Sequence, residues 1–250
     1  MAVTYERLES VSVITLDRPT ALNAINAELS RELREAWEQF NGDDDALVAV
    51  LTGNGRAFCA GLDMKEAAEA ARTGTPMQLG RGMNQREIVK PTIAAVNGAC
   101  AGGGVSFALG CDIILCSDNA QFVLPFAARG RGGAPVALQV AQRTSINAAL
   151  YMALTAGRIH AAEALRMGLV QEVLPLDDLL PRAIELAEKI AGHSQRSVRA
   201  LKHHLWNAME HGVAEALRTA RNTEMDLEQS GDSREGTLAF DEKRRPQYQP

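Results

Sequence analysis

An α/β fold with parallel strands is predicted by three features of the chain. Short runs rich in Val, Ile and Leu read as buried strands, stretches of helical period separate them, and after about residue 135 helical patterns dominate. Strands separated by helices need crossover connections and pair in parallel. The first strand is "VSVITL" (11–16). A helix follows in "NAELSRELREAWEQF", where Leu29, Leu33, Trp37 and Phe40 recur at helical spacing and Asn26 is placed to cap the first turn. "LVAVLTG" (47–53) is the second strand. Asp63 precedes a helix over 64–72, and another helix over 76–90 stops at Pro91, which cannot continue it. "TIAAVNG" (92–98) and "DIILCS" (112–117) complete the strands of this half, with a short helix-like run, "VSFAL", between them. The second half reads as helices over 145–155, 161–167, 177–191, 194–210 and 212–229, with Ser194 as a cap and only "LVQEVL" extended. Nothing in the chain reads as an internal repeat, low-complexity tract or flexible linker.

Composition narrows the function. The chain has 250 residues, 46% hydrophobic and 23% charged, enough for one sizeable core. A net charge of −5 offers no basic stripe for nucleic acid or an anionic membrane surface. No apolar run reaches the roughly 18 residues of a membrane span. The start "MAVTYERLES" has neither a basic head nor an apolar signal segment, so a cytoplasmic protein without a membrane partner is expected. Cys59, Cys100, Cys111 and Cys116 lack paired C-x-x-C spacing and read as buried, reduced thiols, with no metal site implied.

Two glycine-bearing segments stand out. In "NGACAGGGVSFALGCD" (97–112), Gly102, Gly103 and Gly104 leave a strand and open a helix, where amide N–H groups are unpaired at the positive end of the helix dipole. That arrangement suits either a negative ligand group or a tight turn with close backbone packing. It is not the G-x-G-x-x-G of dinucleotide binding. "GNGRAFCAGLDMKEA" (53–67) also leaves a strand and opens a helix. Two such mouths can aim one N–H each at a common point, the geometry of an oxyanion hole.

With both mouths in place the chain resembles the enoyl-CoA hydratase/isomerase (crotonase) superfamily almost end to end. The resemblance rests on "ITLDRPTALNAIN", "VLTGNGRAFCAGLDMKE", "KPTIAAVNGACAGGG", "ALGCDI", "NAQFVLP", "TAGRIHAAEALRMGLVQEVLP" and "EGTLAFDEKRRPQY", in that order. It implies a spiral of repeated strand–strand–helix turns, with an acyl-CoA-binding core over 1–190 and a helical region over 191–250 that builds a homotrimer or homohexamer. It also implies an acyl-CoA thioester whose carbonyl oxygen lies between the backbone N–H groups of Leu62 and Gly103. Arg18, Ala21, Leu22, Ala60, Met64, Lys65 and Lys243 would border coenzyme A, which belongs to the substrate, so no separate cofactor or metal is implied.

The chain departs from the resemblance where the family's hydratases carry two glutamates. Those positions are Ser106 and Phe126 here. Neither side chain can act as a general base near neutral pH. Ordinary hydration of an enoyl-CoA is therefore not expected. The following loop, "FAARGRGGAPVAL", holds Arg129 and Arg131 but no acid. Three functions stay open: a lyase or isomerase drawing on another acid, with Glu87, Glu66 and Glu69 as candidates; catalysis, including decarboxylation, in which Arg129 or Arg131 stabilises a negative acyl substituent; and acyl-CoA binding without turnover.

Overall fold

The computed structural model describes residues 1–75, 77 and 88–248. The helix expected over 76–90, and with it Glu87, lies outside the described residues except at 77 and 88–90, which are not helical. Strands β1 (Val3–Leu8) and β2 (Val11–Leu16) form an antiparallel hairpin, followed by α1 (Ala27–Gly42). One strand–strand–helix unit then occurs three times. It is β3 (Val48–Gly53), β4 (Ala57–Cys59) and α2 (Met64–Thr73), then β5 (Thr92–Val96), β6 (Ala99–Ala101) and α3 (Gly103–Leu109), then β7 (Ile113–Ser117), β8 (Gln121–Val123) and α4 (Ala134–Arg143). There follow α5 (Ile146–Thr155), β9 (Ile159–His160), α6 (Ala161–Arg166), β10 (Glu172–Leu174), α7 (Leu176–Ala191), α8 (Gln195–His211), α9 (Val213–Glu228) and α10 (Gly231–Asp241).

The first strand of each unit joins a six-stranded sheet, β1-β2-β3-β5-β7-β10, and the second a four-stranded sheet, β4-β6-β8-β9. Pairing is parallel as the sequence predicts, apart from β1 with β2 and β8 with β9. The large sheet is covered on both faces. From β3, Ala49 and Leu51 enter the main core with Leu29, Phe40 and Phe58, while Val48 and Val50 meet Leu179, Ala183 and Ala187 of α7. Burial on both sides explains the unbroken apolar runs read as strands.

Sequence-predicted caps recur as hydrogen bonds. Asn26 accepts the Leu29 N–H at 2.9 Å and Ser194 the Ser197 N–H at 3.3 Å. At the other end of α1, the buried Lys90 ammonium donates to the carbonyls of Phe40 (2.9 Å) and Asp43 (2.6 Å), a cation at the negative end of the helix dipole. The C-terminal helices are tied to the core through Asp112. Its carboxylate accepts the Thr92 N–H at 2.8 Å and the Trp206 indole N–H at 3.0 Å, and pairs with Lys202 at 2.8 Å. The Arg143 guanidinium lies 4.8 Å from the Trp206 ring centre. No helix among the described residues is long and apolar enough to cross a membrane.

Candidate active site

The two glycine-bearing segments do converge. They wall a cavity of about 60 Å³, with Ala60 to Leu62 and Met64 on one side and Gly102 and Gly103 on the other, closed by Pro125, Phe126, Arg129 and Arg131. The first wall is built by the loop before α1. Buried Asn23 donates to the carbonyls of Asn54 (3.0 Å) and Ala57 (2.7 Å) and accepts the Arg18 N–H at 2.8 Å. This holds residues 22–25 beside 60–63, where Ala60 N–H donates to Leu22 O (3.0 Å), Ile25 N–H to Gly61 O (2.7 Å) and Asp63 N–H to Ile25 O (2.9 Å). In such a parallel bridge Ile25 uses the peptides on either side of Leu62, so the N–H of Leu62 itself points away from Ile25. Among the described residues it donates to nothing.

Each of the three glycines in the second wall has its own reason. Gly102 turns the chain at φ +52°, a backbone conformation that L side chains rarely adopt. A Cβ on Gly103 would fall 2.6 Å from Ile25 Cδ1, and one on Gly104 would collide with the Cys59 carbonyl. The N–H of Gly103, first in α3, also lacks a partner among the described residues, as a helix start dictates. Both readings of the triple glycine therefore apply, close packing at 104 and a free amide at 103.

Asp63 caps α2 by accepting the N–H groups of Lys65 (3.1 Å) and Glu66 (3.5 Å). Partial burial pushes its carboxyl up, but those amides and Arg18, 3.3 Å away, hold it below the usual carboxylate range. Arg18 also donates to the Ala24 carbonyl, so its side chain joins the turn at Pro19–Ala21 to the start of α2. Burial pushes the Cys59 thiol, just behind the cavity, up to about 12.

Where the resemblance sets catalytic glutamates, the structure has a half-buried hydroxyl and a ring. Ser106 donates to Gln139 Oε1 of α4 at 2.9 Å. Phe126 packs its ring so closely on Gly133 that a Cβ there would collide with it, and 3.7 Å from where a Cβ of Gly102 would lie. Glu69 pairs with Arg72 on the exposed side of α2, and one buried carboxylate oxygen of Glu66 has no hydrogen-bond partner among the described residues. Of the residues assigned to coenzyme A, Ala60 and Met64 line the cavity, Lys65 adjoins them in sequence, and Leu22 is hydrogen-bonded to Ala60. Lys243 follows the C-cap of α10, Glu242, in a left-handed conformation (φ +54°) and is not among the described residues around the cavity. Sequence reasoning missed Asn23, Ile25 and Gln139, whose contacts, apart from those between Asn23 and Arg18, are made at long sequence separation. The "N" of "TALNAIN" was the available signal for the first.

The comparisons with known proteins agree with this architecture. The profile of the family described as Enoyl-CoA hydratase/isomerase matches residues 6–250. A carnitinyl-CoA dehydratase of Proteus mirabilis is 39% identical over 251 residues, covering 96% of this chain and 95% of the relative. Among solved structures, an enoyl-CoA hydratase/isomerase from Mycobacterium paratuberculosis superposes with a TM-score of 0.91 at 32% identity, over 100% of this chain and 98% of its own. An enoyl-CoA hydratase from Mycobacterium tuberculosis H37Rv gives 0.90 at 33% identity, over 99% and 98%. With the profile spanning both sheets and the C-terminal helices, the chain belongs to the enoyl-CoA hydratase/isomerase (crotonase) family.

Proposed function

We propose that the protein is a cytoplasmic acyl-CoA thioester enzyme, a lyase or isomerase, that stabilises a thioester enolate between the N–H groups of Leu62 and Gly103. The observation that carries this reading is the pair of unpartnered main-chain amides on facing walls of one cavity. When a proton leaves the carbon beside a thioester carbonyl, charge moves onto the oxygen, and fixed donors in a small, water-poor site stabilise it. Each such donor typically contributes about 3–4 kcal/mol. Relatives named for coenzyme A thioesters support the substrate class. Coenzyme A itself would run along Ala21, Leu22, Ala60, Met64 and Lys65, with Arg18 bracing that wall and Lys243 facing a phosphate. Residues 1–190 would hold the substrate and residues 191–250 assemble a trimer or a dimer of trimers.

No carboxylate stands among the described residues lining the cavity. Hydration of crotonyl-CoA is therefore expected to be several orders of magnitude slower than in a two-glutamate relative, since each acid–base group contributes about 10²–10⁴-fold. Deuterium uptake at the α-carbon of bound acyl-CoA, read by mass spectrometry beside crotonyl-CoA hydration, tests the reading. Exchange without hydration is the expected result, the α-proton passing to an acid outside that lining such as Glu66, whose buried carboxylate oxygen has no partner among the described residues, and Gly103→Val should abolish it in a folded protein. The same bare cavity favours a second reading, binding without turnover. That reading wins if acyl-CoA esters bind but neither exchange nor any product is found.

A further inference from the structure

We infer that the acyl group taken by this cavity carries a carboxylate, gripped by Arg129 and Arg131. The inference rests on the acyl-CoA reading above and names the substrate class within it: short monothioesters of dicarboxylic acids. Both arginines line the cavity that holds Leu62 and Gly103. They spring from one tight turn, because the Phe126 carbonyl accepts the N–H of Arg129 at 3.0 Å and that of Arg131 at 3.0 Å. Phe126 is fixed in turn by its contact with Gly133. The two side chains are thus carried on an anchored support.

Neither guanidinium makes an ion pair or a side-chain hydrogen bond among the described residues. Some other arginines of this chain are engaged, Arg18 with Asp63, Arg182 with Glu172 and Arg244 with Glu235. Exposed Arg56 and Arg221 have no such partner among the described residues, so what sets the equally exposed Arg129 and Arg131 apart is their place on the cavity. In a protein of net charge −5, two neighbouring unpaired cations with no acid among the described residues of the same cavity wall form a local excess of positive charge. A guanidinium presents a planar fork of donors that matches a carboxylate. Phe126 on the cavity wall fits the same picture, since a glutamate there would repel an anionic acyl group as well as activate water.

Coenzyme A brings phosphates that offer similar chemistry, but the pantetheine arm separates them from the thioester. A cavity of about 60 Å³ cannot hold that arm together with the carbonyl, and Arg129 and Arg131 belong to the closing wall with Phe126, not to the Ala60–Met64 side given to coenzyme A, so they are assigned to the acyl group. The small volume also selects short chains.

The test is calorimetric titration of the full-length protein with succinyl-CoA, butyryl-CoA and free coenzyme A. The first two differ only in the terminal carboxylate. The natural protein should bind succinyl-CoA about tenfold or more tightly than butyryl-CoA, the usual scale for hydrogen bonds to a charged group. Arg129→Met combined with Arg131→Met should bring that ratio close to one and leave free coenzyme A unchanged, while Arg129→Lys with Arg131→Lys should keep part of the preference. Equal affinity of the natural protein for the two esters would overturn the inference and leave the acyl-CoA reading intact, whatever happens to the variants. Weaker binding of free coenzyme A by the methionine pair would assign the arginines to phosphate and overturn it too. Absence of binding by all three ligands would remove both readings together.

Discussion

Asp63 shows how a single side chain serves fold and site at once. Its carboxylate collects two amides of α2 and a guanidinium, and by capping α2 it fixes the peptide of Leu62 immediately before it. Asp63→Ala should cost about 0.5–2 kcal/mol, the usual range for a lost N-cap, measured by urea unfolding at pH 7. Because the folded-state value is depressed, this contribution is complete above the unfolded carboxylate value near 4 and is lost as pH falls through the lower folded value. The gap between variant and natural protein should close on acidification. Neighbouring glycines give a sharper contrast. Gly104→Ala drives a Cβ into the Cys59 carbonyl, which is backbone and cannot rotate away, whereas Gly103→Ala meets only the end of the Ile25 side chain. Overpacking of the first kind typically costs about 1–3 kcal/mol. The melting temperature of Gly104→Ala should fall by roughly 2–12 °C on that basis, and that of Gly103→Ala by much less.

At the scale of elements, legibility followed signal length. Strands β2, β3, β5 and β7 are five- or six-residue apolar runs, and each was readable. The strands of the smaller sheet have two or three residues, too few for any period, and β1 was hidden by its exposed charged residues. The start of α4 lies behind "GRGG", which reads as loop, and the polar "GDSREG" start masks α10. What α10 contributes is visible only in three dimensions: Glu235 receives Arg244 (2.9 Å) and the Gln247 N–H (2.7 Å), and Gly236 leaves room for Tyr248. That clasp accounts for the spacing of the closing "EGTLAFDEKRRPQY". In the site, both glycine mouths were readable because each is local. The Arg18–Asp63 pair and the Ser106–Gln139 bond join residues 45 and 33 positions apart and leave no local trace. The attachment of α8 is similarly long-range. Lys202→Met removes both the ion pair with Asp112 and a bond to the Lys90 carbonyl (2.8 Å). It should cost about 1–3 kcal/mol and speed hydrogen exchange in α8, while β3 and β5 keep their protection.

Over the whole molecule, apolar surface is unevenly covered. Leu201, Leu205, Leu217 and Phe240 on α8 to α10 are 59–87% exposed, and grooves of about 550 and 630 Å³ run along these helices. Such a surface on one chain is a candidate for burial against another copy. Sedimentation should accordingly find a trimer or hexamer, and Leu205→Glu with Leu217→Glu should yield smaller species that keep the far-UV spectrum. A persistent monomer of the natural protein would contradict the proposed assembly. The two free amides have a different kind of permanence. They belong to the main chain, so no codon change at position 62 removes the donor unless it specifies proline, the one residue without an N–H. Side chains facing the cavity, such as that of Phe126, can thus be exchanged without loss of the donors, while the amide pair goes with the spiral itself. Descent within such a fold constrains the backbone and leaves the reaction free to drift.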